Sequence, residues 1–358
     1  MVSFPGSRFW SSLGVFSVWF GLAACGPIGG VEADDSAAVG GGSASGSAGT
    51  GAGGGNAAPV TLPDPPAFKT VGYWPSWTSN SNTMLQLDKL NYVNFAFGIE
   101  AADGSLTMPQ PATALSALVS RAHQAGVRVI ISVGGWNNGD DSAFRALSGD
   151  ANARAKFAST LAAYVAQYQL DGVDIDWEYP RQADVASYTA LMQTLSGTLK
   201  PLGKLLTIAA APGTYGSEGI TADAAQYIDL VNIMAYDGGG ASDPSQSSPY
   251  SLAQSALMTW QQKQFPNDKL ILGVPFYSKP SNTAYSALIQ ANPAAAQEDS
   301  VNGEFYNGIP TVKQKTALAM TQGGGVMAWD LSQDARVTAG SPDLSLVSAI
   351  YAQIHAAP

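Results

Sequence analysis

One cysteine, Cys25, stands in 358 residues, which excludes a disulfide framework and any zinc site built on cysteines. Histidine is almost as scarce. His123 and His355 are the only two, far too distant in sequence for metal-ligand spacing, so neither a metal nor another cofactor is expected. Charged residues make up 12% of the chain, and 17 Lys plus Arg face 27 Asp plus Glu, for a net charge of −10. No basic cluster interrupts this acidity. Nucleic acid and anionic surfaces would be repelled, and a neutral or cationic substrate is implied. The apolar run at 9–24 is too short to cross a bilayer comfortably.

Large side chains are almost missing from 26 to 66, where GGGSASGSAGTGAGGG forms the centre. Such a stretch cannot bury enough apolar surface to offset its ordering entropy, so it reads as a flexible tether. Ahead of it, Arg8 precedes the 9–24 run, which ends in small residues as an export signal does. The run closes on Leu22-Ala23-Ala24-Cys25, which resembles the lipobox of bacterial lipoproteins. The resemblance implies a signal peptide over 1–24, lipid on Cys25 and an exported protein anchored to a membrane at the cell surface or in the periplasm, or released from it. A plain signal peptide or an uncleaved anchor helix is the alternative. The tether then covers 25–66. The 46% apolar content is ample for one barrel-sized, monomeric domain over 67–358.

What the chain does have is DGVDIDWEYP, residues 171–180. Asp174, Asp176 and Glu178 recur at every second position, so an extended strand projects all three from one face while Val173, Ile175, Trp177 and Tyr179 take the other. No Lys or Arg lies within 171–180 to neutralise them. Crowded carboxylates cannot all ionise, and one that keeps its proton near neutral pH is equipped to be a general acid.

Around this run, apolar segments at 70–74, 92–98, 128–134, 173–178, 205–211, 230–236, 270–276 and 325–330 predict eight strands. Helical periodicity lies between them: Phe157, Leu161, Tyr164, Val165 and Tyr168 share one face, as do Val185, Tyr188, Leu191, Met192 and Leu195. Apolar strands alternating with helices predict an α/β fold, a (β/α)8 TIM barrel with its active site at the carboxyl ends of the strands. The long gap at 277–324 predicts one helix plus loops.

With these elements in order, the chain resembles glycoside hydrolase family 18, the chitinase family. Asp171, Asp174, Asp176 and Glu178 match its D-x-x-D-x-D-x-E signature; Ser132, Gly134 and Gly135 match S-x-G-G; Met234, Tyr236 and Asp237 match M-x-Y-D; Trp329 matches a Trp on the last strand. The resemblance implies a retaining, substrate-assisted glycosidase in which the acetamido group of the bound sugar is the nucleophile. Glu178 would be acid then base, and Asp176 would orient the acetamide and share a proton with Asp174. Tyr73 and Ser132 would hydrogen-bond Asp174, Tyr236 would donate to the acetamido oxygen, Asp237 would contact the sugar, and Trp329 would floor it. Asp171 reads as structural. Gly135 and Trp136 would also be substrate-binding residues. Trp74, Trp77 and Trp136 could each line a sugar groove or pack in the core.

The gap at 277–324 is too short for the α+β insertion of deep-cleft relatives, which implies an open groove and internal cleavage. Many relatives carry Tyr-Gly-Arg where this chain has Tyr277-Ser278-Lys279, so contacts past the cleavage point need not follow the family. The expected substrate is chitin or its N-acetylglucosamine oligomers. An endo-β-N-acetylglucosaminidase acting on glycoprotein glycans is the alternative within the family. A non-catalytic, chitin-binding lectin-like barrel is the alternative outside enzymes, and the presence of Glu178 argues against it.

Overall fold

Runs of β-branched and aliphatic residues form β1 (Lys69–Pro75), β2 (Tyr92–Glu100), β3 (Arg128–Gly134), β4 (Gly172–Asp176), β5 (Leu205–Ala210), β6 (Leu230–Ile233), β7 (Leu270–Pro275) and β8 (Gly325–Trp329). Each pairs in parallel with its neighbours, and β8 returns to β1 through Lys69↔Gly325, so the sheet closes on itself. The computed structural model describes residues 62–78, 81–240 and 242–356. The expected export signal over 1–24, Cys25 and most of the tether lie outside the described residues. Within them, no helix is long and apolar enough to cross a membrane. The Pro63 carbonyl accepts a 2.7 Å hydrogen bond from Arg128 Nη1, so the last residues before the barrel touch its wall.

Helices α1 (Ala112–Gln124), α2 (Ser142–Gly149), α3 (Ala151–Tyr168), α4 (Val185–Leu199), α5 (Tyr250–Gln262), α6 (Tyr285–Ala291), α7 (Ile309–Gln322) and α8 (Leu346–Ile354) accompany the strands. Asp150 starts α3 by accepting the Ala153 N–H at 2.7 Å, the usual way an N-cap satisfies an orphan donor. Phe157, Leu161 and Val165 then bury one face of it. Alternation along the strands splits the interior into two cores. Val129, Ile131, Val173, Ile175, Leu206 and Ile208 face the helices, while Val71, Tyr73, Ile130, Ala209, Ile271 and Met327 fill the barrel. Buried polar residues share that inner space: Asn94, Ser132, Asp174, Thr207 and Asn232.

Asp171 sits at the entrance of β4, where its carboxylate accepts the Val129 N–H and meets His123 Nε2, each at 2.8 Å. His123, which the sequence left without a role, thus ties α1 to the base of the barrel.

Three expectations are corrected. The fourth strand stops at Asp176 rather than Glu178, and the sixth at Ile233 rather than Tyr236. At the barrel mouth the ladder runs out of partners: Ala235 and Tyr236 donate to carbonyls two residues back, of Ile233 and Met234, which bends the chain off the strand direction. The gap at 277–324 holds α6, a two-stranded hairpin (Ser300–Val301 with Glu304–Phe305) and the whole of α7, not one helix.

Candidate active site

Asp174 is the buried centre of the barrel. Its Oδ2 accepts from Tyr73 Oη and Ser132 Oγ, both at 2.8 Å, and its Oδ1 from Thr207 Oγ1 at 2.6 Å and Asn232 Nδ2 at 3.2 Å. The β4–β5 register places Asp174 opposite Thr207, and the β3–β4 register places it opposite Ser132. Burial pushes its pKa up, and the four donors pull it back toward the charged form. Tyr73 and Ser132 are the two partners the sequence predicted. Thr207 and Asn232 were missed, although each is a lone polar residue in an otherwise apolar strand.

Asp176 is just as deep and differently served. Its Oδ1 is buried without a hydrogen-bond partner, and burial, followed by the charges of Glu178, Asp174 and Glu100, drives its pKa well above the usual carboxylate range. No hydrogen bond joins Asp174 to Asp176 among the described residues. Four donors occupy both Asp174 oxygens in this arrangement. Glu178 follows two residues beyond the strand. Burial raises its pKa to about 7, helped by the charge of Asp237 and opposed by the Tyr179 hydroxyl.

Tyr236 reaches the same chamber from the turn after β6. Burial pushes its phenol pKa well above 10.0, so it stays an O–H donor, and its hydroxyl is not committed to a hydrogen bond among the described residues. Asp237 adopts a left-handed φ of 58° and accepts from Tyr277 Oη at 2.8 Å, with Lys279 Nζ at 3.1 Å. Tyr277 and Lys279 were not predicted as site residues. They occupy the segment where the sequence departs from the family pattern.

Aromatic rings continue the chamber outward. Trp329 meets Tyr73 edge-on at 5.4 Å and stacks near Phe97 at 5.7 Å, and Phe97 in turn meets Trp77 at 5.8 Å. Trp136 stands 6.2 Å from Tyr179. Exposure settles the three uncertain tryptophans: Trp74 is 4% exposed and belongs to the outer core, whereas Trp77 at 63% and Trp136 at 62% stand open. Open rings of this size are suited to the apolar faces of sugars. Tyr179 is a correction. It was assigned to the opposite face from the acids, but the strand has ended before it, alternation no longer applies, and its ring lies beside Trp136. Gly134 and Gly135 have φ of 109° and 93°. A Cβ on the first would lie 2.3 Å from the Asp176 carbonyl, and one on the second 2.6 Å from the Phe97 ring, so close approach and backbone conformation both require glycine.

The arrangement can do one kind of chemistry well. A carboxyl whose pKa is raised to about 7 follows two residues after a deep carboxyl with an unpartnered oxygen, beside an aromatic-lined surface. Comparison with known proteins points the same way. The family model described as glycosyl hydrolases family 18 matches residues 69–334. Chitinase A1 of Niallia circulans is 27% identical over 308 residues, covering 62% of this chain and 44% of that protein. Probable chitinase 10 of Drosophila melanogaster is 26% identical over 214 residues, covering 52% of this chain and 9% of that one. The chain thus spans less than two thirds of the length of these curated relatives. Among solved structures, a chitinase from Bacteroides thetaiotaomicron superposes with a TM-score of 0.72 at 25% identity, covering 80% of this chain and 97% of that one. A family 18 chitinase from the chitin utilization locus of Flavobacterium johnsoniae gives 0.71 at 27% identity, with 80% and 93% covered. With a match running from β1 past β8 and the last three acids of its signature on and just beyond β4, this chain belongs to glycosyl hydrolases family 18.

Proposed function

We propose that the protein is a chitinase that cleaves internal β-1,4 links between N-acetylglucosamine units, with retention, the substrate's own acetamide acting as nucleophile. The observation that carries this reading is the buried, unpartnered Oδ1 of Asp176 two residues before a Glu178 whose pKa is about 7. An unsatisfied buried oxygen is costly, and an acetamido N–H aimed at it would remove that cost while turning the carbonyl oxygen toward the anomeric carbon. Tyr236, kept as an O–H donor, would hold that oxygen in line. Glu178 would protonate the glycosidic oxygen as the C–O bond breaks, and the acetamide would close on the anomeric carbon to give an oxazolinium ion. Glu178, now a carboxylate, would deprotonate the water that reopens the ring and so recover its proton. Asp176 would stabilise the positive charge from a fixed position, at no cost of reorganisation. Trp329 would floor the reacting sugar, and Asp237, held by Tyr277 and Lys279, would meet its edge.

Internal cleavage is favoured because the segment after β7 carries α6, a hairpin and α7, and no α+β domain is inserted there among the described residues. The Leu22-Ala23-Ala24-Cys25 sequence supports, in addition, export and a lipid anchor on Cys25. Cys25→Ser should then move the protein from the membrane to the soluble fraction, and unchanged membrane association would remove that assignment.

The mechanism is tested by following chitin oligomer hydrolysis by proton NMR from the first seconds. Retention through the acetamide predicts the β-anomer first. The α-anomer first would exclude it.

A further inference from the structure

Lys315, on α7, is fully buried, yet no carboxylate forms an ion pair with it among the described residues. Its Nζ donates to the Ser248 carbonyl at 2.6 Å, to Ser248 Oγ at 2.7 Å and to Asn307 Oδ1 at 2.6 Å. Asn307 Nδ2 adds a second donor to the same Ser248 carbonyl at 2.9 Å. Burial lowers the Lys315 pKa to about 7, with the attraction of Asp299 offsetting part of the effect. Placing an ammonium in the interior without a carboxylate partner is costly, so the three acceptors form an expensive arrangement for merely fastening a helix.

Its cargo is visible one bond further on. Ser248 Oγ donates to the Ala235 carbonyl at 2.8 Å, and the Ser247 carbonyl accepts the Gly238 N–H at 2.9 Å. These two bonds bracket Tyr236 and Asp237 on either side. The bracketed residues have left the β6 ladder, and one of them has positive φ, so the sheet itself does not fix where the Tyr236 hydroxyl points. The Ser247–Ser248 pair holds the backbone on both sides of these residues, and Lys315 with Asn307 holds Ser248.

We propose that Lys315 is a positioning residue for Tyr236, acting through Ser248. The inference rests on the reading of Tyr236 as the donor to the acetamido oxygen. Displacing a reacting group by about 1 Å is enough to cost about 100-fold in rate, so loss of the anchor should appear in turnover before it appears in affinity.

The test is a double-mutant cycle on chitin tetramer, comparing wild type, Lys315→Met, Tyr236→Phe and the pair. Methionine fills the lysine slot without the donors. Lys315→Met is expected to lower kcat by about 10- to 100-fold with KM changed by less than about threefold, and to cause less than about twofold further loss once Tyr236→Phe is present. Ser248→Ala should reproduce the same coupling, and it carries the test if Lys315→Met melts below the assay temperature. Losses that multiply across the cycle mean that Lys315 serves only the fold, and they overturn the proposal. Unchanged kcat in both Lys315→Met and Ser248→Ala, with Tyr236→Phe impaired, overturns the clamp and leaves the function reading intact. Full activity of Tyr236→Phe overturns the role of the hydroxyl, and the proposal with it.

Discussion

Asp174 and Asp176 are two residues apart on one strand, both buried, and held in opposite ways. The floor of the barrel surrounds Asp174 with four donors, two on each oxygen, whereas the mouth leaves an oxygen of Asp176 with none. The difference teaches what each acid is for. A carboxylate whose lone pairs are all taken is a fixed charge. One that is desolvated and short of a donor waits for a ligand to supply it, and until then it resists ionising. Glu178, two residues further on, has a raised pKa and is only partly buried, which suits it to the acid's role proposed for it.

Substitutions should separate the three acids. The largest effect belongs to Glu178→Gln, which should lower kcat on chitin oligomers by about 10³-fold or more, within the range for a lost general acid, with oligosaccharide binding retained by calorimetry. The same variant bears on stability. Glu178 has its pKa raised from 4.5 to about 7, so its contribution is complete below the unfolded value and is lost as pH rises through the folded one. Glu178→Gln should therefore melt about 2–6 °C above the wild type at pH 8 and close to it at pH 4; equal melting temperatures at both pH values would remove the carboxylate's burial as a cost.

Asp176→Asn comes next, with kcat lower by about 100-fold and the melting temperature unchanged or raised, since nothing in the fold donates to its Oδ1. Asp174→Asn should reverse the balance. An amide group facing four donors leaves some of them unsatisfied, at about 2–4 kcal/mol of stability, visible in chemical denaturation. If the two variants lost stability equally, the contrast between floor and mouth would be wrong.

Much of this was legible in the chain. The ladder shows as polar residues at every second place in an apolar run, and the eight strands show as apolar segments between helical patterns. What the sequence hid lies where periodicity stops. Tyr179 falls in the groove because β4 has ended before it. Phe97 reaches the groove although Phe95, two residues earlier, packs in the outer core, because the β2–β3 register slips between Phe95 and Gly98. Thr207, opposite Asp174 on the next strand, and Asn232, on the strand beyond it, meet Asp174 only through parallel pairing of residues 33 and 58 positions apart. Lys315 reads as a solvated helix residue in Lys313-Gln314-Lys315, and nothing local announces that it points inward at Ser248, 67 positions away.

The whole account depends on the sugar's acetamide being the nucleophile. The most direct measurement compares hydrolysis rates of fully acetylated and fully deacetylated tetramers of the same β-1,4 backbone, at saturating concentration and matched pH. Rapid cleavage of the acetylated chain and none detectable of the deacetylated one is the predicted result; comparable rates on both would contradict it.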